Sequence, residues 1–102
     1  MFLIDILLPL QDEGAQPFPA ESYDRLAQRL TERFGGVTSF ARSPGEGRWK
    51  NRGATERDEI VIIEVMAEQI DRAWWSHLRK DLMREFRQED IVIRSQAIER
   101  LT

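Results

Sequence analysis

The sequence predicts an α+β domain in which strands and helices follow one another in the order β-α-β-β-α-β. The most informative stretch is Asp58–Glu68 (DEIVIIEVMAE), where β-branched residues are almost consecutive. Such side chains favour a pleated strand, and a short apolar run between charged residues favours a strand over a helix. On either side of this stretch, apolar residues recur at helical spacing. A central strand flanked by two amphipathic helices is therefore the core of the prediction.

Composition limits the kind of protein that this chain can be. Its 102 residues suit a single domain spanning residues 1–102, and the absence of cysteine excludes disulfides and thiol chemistry. The net charge of −3 disfavours nucleic acid and membrane surfaces as partners. The apolar N-terminus lacks a basic leader and is interrupted by Asp5, which argues against a signal peptide. We expect a cytoplasmic protein.

The first half of the chain predicts a strand, a helix and a second strand. The first strand covers Phe2–Leu8 and ends at Pro9, which has no backbone N–H to donate. Glu21–Phe34 carries one apolar stripe and predicts the first helix, and the glycines that follow suit a left-handed helix stop. Val37–Arg42 predicts the second strand.

The second half contains a long charged loop before the central strand and the second helix after it. The loop Ser43–Arg57 (SPGEGRWKNRGATER) has Trp49 among basic residues, and a loop of this length is often functional. The second helix is predicted at Arg72–Arg87, with Asp71 as a good N-cap. Asp90–Ser95 predicts the last strand.

This order of elements fits a ferredoxin-like sandwich, with both helices on one face of a four-stranded antiparallel sheet in the order 4-1-3-2. One face of the sheet then stays uncovered. The interface candidates expected on it are Leu3, Leu7, Ile60, Ile62, Met66, Val92 and Arg94. An exposed apolar patch often marks an interface. We therefore expect a homo-oligomer, most simply a face-to-face dimer, with edge-to-edge pairing as the alternative.

Several short motifs resemble those of a family of small uncharacterised bacterial proteins. They are Phe34-Gly35-Gly36-Val37-Thr38, Gly47-x-Trp49, Asp58-Glu59, Trp74-Trp75 and Phe86-Arg87-Gln88-Glu89. The layout is also similar to dimeric α+β-barrel proteins, a group that includes cofactor-independent monooxygenases. The resemblance implies a cytoplasmic bacterial domain and no particular activity, because a fold alone does not carry a function.

Two groups of residues are candidates for chemistry. Asp5 and Glu64 should lie on the same sheet face of adjacent strands, where paired carboxylates can separate their pKa values or, more simply, pair with arginines. His77 stands one helical turn before Asp81 and could form an oriented base, although a surface position is the simpler interpretation. No set of residues suggests a metal site, and no motif suggests a cofactor.

Three functions remain open on these grounds. The first is a non-catalytic domain that self-associates through the uncovered sheet face. The second is a cofactor-independent enzyme acting on a small hydrophobic or aromatic molecule, with Asp5, Glu64 or His77 as proton carriers and with Arg42 or Trp49 positioning the ligand. The third is a small-molecule sensor that uses the loop at residues 43–57.

Overall fold

The computed structural model describes residues 1–36, 38–42 and 60–102, which form four strands and two helices. The elements are β1 (Phe2–Pro9), α1 (Ala20–Phe34), β2 (Thr38–Arg42), β3 (Ile60–Ala67), α2 (Arg72–Glu85) and β4 (Ile93–Ala97). The sheet runs in the order β2-β3-β1-β4, and every neighbouring pair of strands is antiparallel.

The hydrophobic core lies between one face of the sheet and the two helices. Alternate residues of β1 and β3 supply the sheet side of the core, because successive side chains of a strand point to opposite faces. The core side chains that are at most 2% exposed are Ile4, Ile6, Leu8, Leu30, Ile63, Val65, Leu78 and Phe86. Both central strands are therefore anchored by their inward residues, which fixes the register of their outward ones.

Both helices end in left-handed backbone, but the second ends earlier than predicted. Gly35 follows α1 at φ 81°, as the sequence predicts. Helix α2 ends at Glu85 rather than Arg87, and Arg87 itself lies in the left-handed region at φ 49°. The backbone N–H of Gln88 donates to the carbonyl of Met83 at 2.9 Å. This bond closes the helix end and turns the chain back. Arg87 thus occupies the positive-φ position that glycine usually takes at the end of a helix.

The predicted sheet is wrong in its last strand. β4 begins at Ile93, three residues after the predicted start, and continues to Ala97. The segment before it is a helix-to-strand connection, because Arg79 donates to the Ile91 carbonyl at 3.2 Å and to the Asp90 carboxylate at 2.5 Å. Ile91 is buried in the core at 3% exposure. These contacts hold the connection against α2 and leave β4 only five residues to pair with β1.

The sequence predicted that Ile62 would lie on an exposed patch, and this prediction is wrong. Ile62 points to the face opposite the helices, since it is paired with Leu7, yet it is only 2% exposed. Of the other predicted interface residues, Met66 is 51% exposed and Val92 is 49% exposed, while Leu3, Leu7 and Ile60 are half-buried. The apolar surface of this face is therefore smaller than predicted and is concentrated around Met66 and Val92.

The paired tryptophans both join an aromatic cluster at the C-terminus of α1. Trp75 stacks on Phe34 with ring centroids 5.4 Å apart, and Trp74 meets the same ring edge-on at 5.4 Å. The Arg33 guanidinium lies 4.5 Å from the centre of the Trp74 ring. Trp74 is half-buried and packs against the core beside the buried Trp75.

Candidate functional site: a carboxylate pair on the sheet

The face of the sheet opposite the helices carries a row of polar residues. We call this surface the open face; its residues on β1, β3 and β4 are Leu3, Asp5, Leu7, Ile60, Ile62, Glu64, Met66, Arg94 and Gln96. The antiparallel register places Asp5 directly opposite Glu64 on one side and Arg94 on the other. Glu64, Asp5 and Arg94 therefore form a line across three adjacent strands, with apolar residues above and below.

The two oxygens of Asp5 have different surroundings. Arg94 Nε donates to Asp5 Oδ2 at 3.3 Å, which makes an ion pair across the strands. Asp5 Oδ1 is buried and receives no hydrogen bond from the described residues when both carboxylates are ionised. A buried carboxylate oxygen without a donor is costly. Glu64, directly opposite Asp5 on β3, is in register to supply a donor for this atom.

A proton on Glu64 would give that oxygen a donor. The pKa of the Glu64 carboxyl is raised above its usual value, first by burial and then by the hydrogen bond and the negative charge of Asp5. In its protonated form Glu64 has an O–H to donate to Asp5, which also accepts from Arg94. The strand register thus places a carboxyl group with a raised pKa beside Asp5 on the open face.

Glu64→Gln tests this arrangement through the pH dependence of stability. Because the pKa of Glu64 is higher in the folded chain than in the unfolded one, the stability that its proton provides is complete below the unfolded pKa and is lost as pH rises through the folded pKa. Glutamine keeps an N–H donor for Asp5 at every pH. We expect the variant to melt at a higher temperature than the parent at about pH 7 and at the same temperature at about pH 3. Equal melting temperatures at both pH values would contradict the proton assignment.

The other predicted site residues are not brought to this row. His77 is 72% exposed on α2, and its Nε2 lies 3.7 Å from Asp81 Oδ2. Arg29 and Arg84 also contact Asp81, and the hydrogen bond from Arg29 is the main reason that the pKa of Asp81 is lowered. That cluster is a surface network of ion pairs. Trp49 and the side chain of Arg42 lie outside the described residues.

Sequence reasoning missed a cleft on the other side of β4. Arg72, Ser76 and Arg79 line it from one side of α2. Their spacing of four and three residues places them on one stripe of a helix, which is a signal that the sequence does contain. The prediction for α2 rested on its apolar stripe alone, so the polar stripe gave no prediction of a cleft.

The described residues contain neither a metal-binding cluster nor a helix that could span a membrane. In residues 1–36, 38–42 and 60–102, no group of three or more histidine, aspartate or glutamate side chains could hold a metal ion. Within the same ranges, no helix has the length and apolar character needed to cross a bilayer.

The fold is similar to that of a phage SAM lyase, seen in two solved structures. The complex of that lyase with S-methyl-5'-thioadenosine is 16% identical to this chain with a TM-score of 0.57, and the match covers 93% of this chain and 79% of the lyase. The apo lyase gives 16% identity and a TM-score of 0.59, with 93% and 78% covered. No family model matches the chain, and no curated protein matches it. At this identity the likeness shows a shared fold and nothing about chemistry.

Proposed function

We propose that the open face binds a small molecule and that Glu64 acts there as a proton carrier positioned by Asp5. The observation that supports this most is the buried Asp5 Oδ1, which has no donor among the described residues and lies on the strand beside Glu64, whose pKa is raised. A carboxyl group whose pKa is moved toward neutrality can both give and take a proton near its working pH. The predicted cofactor-independent enzyme would thus use Glu64 as its proton carrier, with Asp5 as the residue that positions it.

The charges of the row point to the kind of molecule that would bind. With Glu64 protonated, the single negative charge of Asp5 is balanced by Arg94. When Glu64 loses its proton, the row gains one uncompensated negative charge. A cationic ligand would stabilise that ionised state and lower the pKa of Glu64, since an opposite charge nearby favours the charged form. Binding of a cation should therefore release a proton.

SAM is the first molecule to test, because the fold resembles that of a phage SAM lyase and because SAM carries a positive sulfonium centre. Titration calorimetry at about pH 5, in buffers with different ionisation enthalpies, counts the protons released on binding. We expect proton release with the parent chain and none with Glu64→Gln. Glu68→Gln, which removes a carboxylate from an exposed residue just after β3, is the matched control. Equal proton release by the parent and by Glu64→Gln would refute the role of Glu64.

The enzymatic part of the proposal needs a separate measurement. The parent chain is incubated with SAM, and S-methyl-5'-thioadenosine is followed by chromatography. In the step that would use Glu64, its carboxylate takes a proton from the carbon next to the one that bears the sulfonium, the electrons of that C–H bond form a C=C bond, and the electrons of the C–S bond leave with sulfur in the thioether product. If this step occurs, Glu64→Gln should lower the rate by about 10²–10⁴-fold while Glu68→Gln leaves it unchanged. Binding of SAM without any product would limit the function to recognition.

A second candidate function is self-association through the same face. It is favoured by the exposure of Met66 at 51% and Val92 at 49%, since large apolar side chains at this exposure beside other apolar residues are typical of an interface. A second copy packed on the open face would also enclose the Asp5–Glu64 pair. The two proposals are therefore compatible, and the site would lie inside the assembly.

Met66→Asp tests self-association without disturbing the core. Its side chain is exposed in the single chain, so the substitution should leave the fold intact while placing a charge in the proposed interface. We expect the mass measured by light scattering after size-exclusion chromatography to fall from that of an oligomer to that of one chain. Leu101→Asp is the control, because Leu101 is 88% exposed in the C-terminal tail. A parent chain that is monomeric at every concentration would remove this candidate.

A further inference from the structure

A cleft of about 240 Å³ lies between α2 and the edge strand β4, on the helix side of the sheet. Its inner wall includes Ile4 and Trp75, which are 2% and 7% exposed and belong to the core. Its rim is polar, with Arg72, Ser76 and Arg79 from α2 and with Arg94 and Ser95 from β4. The cleft therefore combines an apolar wall with donor groups contributed by two different elements, as binding sites for small organic molecules do.

The volume limits the size of an occupant. At about 30 Å³ for each water molecule in the liquid, the cleft has room for about eight waters. It is smaller than the pockets of roughly 300–1,000 Å³ that hold drug-sized ligands. An occupant would thus be a compact molecule, such as one ring or a short chain bearing one charged group.

Arg79 is held in place beside the cleft and still has donors to offer. Its Nε donates to the Ile91 carbonyl at 3.2 Å, and one terminal nitrogen donates to Asp90 Oδ1 at 2.5 Å. A guanidinium has five N–H donors in a fixed plane, so these two bonds leave the others unused by the described residues. A guanidinium that is already oriented loses less entropy when it binds an anion.

The neighbouring charges also favour an anion. Arg72 is exposed at the first turn of α2, where the helix dipole is positive. The carboxylates closest to the rim are already engaged, because Asp90 is bound to Arg79 and Asp71 accepts from the Trp74 backbone and from Arg33. Ser76 and Ser95 add hydroxyl donors. The rim thus offers mainly donors, with two arginines on one side of the helix.

We propose that this cleft is a binding site for a small organic anion, whose carboxylate or phosphate binds Arg72 and Arg79 and whose apolar part packs on Trp75. The cleft meets the row of the open face at Arg94, which lines the cleft and also binds Asp5. The proposal does not depend on the function proposed for that row. The ligand proposed for the cleft is an anion, whereas the ligand proposed for the open face is a cation.

Benzoate and benzylammonium are suitable probes, since they have similar shapes and opposite charges. Nitrogen–proton NMR spectra of the full chain report on the Arg79 Nε–H and on the Trp75 indole N–H. We expect benzoate to shift both signals in a saturable way, with a dissociation constant on the order of 1 mM for a ligand of so few atoms. Benzylammonium should shift neither signal. Equal shifts with both probes, or no saturation with benzoate, would overturn the proposal.

Two variants and one control assign the effect to the rim. Arg72→Gln removes an exposed rim charge, and we expect it to weaken benzoate at least about tenfold, which corresponds to the loss of one charged hydrogen bond. Arg79→Gln should weaken it further, but it also removes the contact with Ile91, so Arg72→Gln decides the matter if the other variant unfolds. Arg84→Gln removes the same charge from a 74% exposed position paired with Asp81. If Arg72→Gln and Arg84→Gln weaken benzoate equally, the site is not the cleft.

Discussion

Replacing Phe86 with alanine is expected to lower the free energy of unfolding by about 3–5 kcal/mol. Phe86 is 0% exposed and lies at the end of α2, where its ring meets Phe18 at 5.1 Å and Tyr23 at 5.2 Å between centroids. The substitution would leave a cavity where the 9–20 segment, α1 and α2 meet. Because a domain of this size has only about 5–15 kcal/mol of stability, the loss would be a large fraction of the total.

Urea denaturation followed by circular dichroism measures this loss. Leu101→Ala is the matched control, because it removes a large apolar side chain at 88% exposure and should change stability by no more than about 0.5 kcal/mol. A loss below about 1 kcal/mol for Phe86→Ala would mean that the surroundings collapse into the space, against the packing described for this corner.

Ile62→Asp is expected to destabilise the single chain by at least about 3 kcal/mol. Ile62 is 2% exposed, so the substitution would bury a carboxylate without a partner. The strand register makes this worse, since Glu64 lies two residues away on the same face and Asp5 is on the adjacent strand. The sequence predicted Ile62 as an interface residue, but the effect of this substitution on folding would come before any effect on assembly.

The pH dependence of the stability of Ile62→Asp separates an effect on the folding of the single chain from an effect on assembly. If burial of charge is the cause, acidification toward about pH 4 should recover part of the stability as the new carboxyl takes up a proton. Ile62→Val keeps the position apolar and should cost only about 0.5–1.5 kcal/mol. A folded, stable and monomeric Ile62→Asp chain would instead show that Ile62 acts only between chains.

The strands and helices were predictable because their apolar periods are strong. Ile4, Ile6 and Leu8 alternate on β1, and Leu26 and Leu30 lie one helical turn apart on α1, and all are buried as these periods predict. The start of β4 was not predictable, because Ile91 and Ile93 suit a strand equally well. The contacts of Arg79 with residues 90 and 91 decide where the strand begins, and such contacts between distant residues leave no periodic signal.

The position of the candidate site was predictable from the sequence, but the raised pKa of Glu64 was not. Alternation along β1 and β3 placed Asp5 and Glu64 on one face, and their register makes them direct neighbours. The sequence suggested that each carboxylate would pair with an arginine, yet Arg94 contacts only Asp5. The pKa of Glu64 is raised mainly by its own burial, and residue types alone cannot give this.

The position of β1 in the sheet has a consequence for how the chain folds during synthesis. β1 is made before its partners, β3 and β4, which both belong to the second half of the chain. This apolar strand must therefore wait for β3 before its backbone can pair, and contacts so distant in sequence form slowly. Helix α1 can form in the meantime, and its apolar stripe gives Ile4, Ile6 and Leu8 a temporary surface. A nascent chain stalled before residue 60 would accordingly be the form most prone to aggregate.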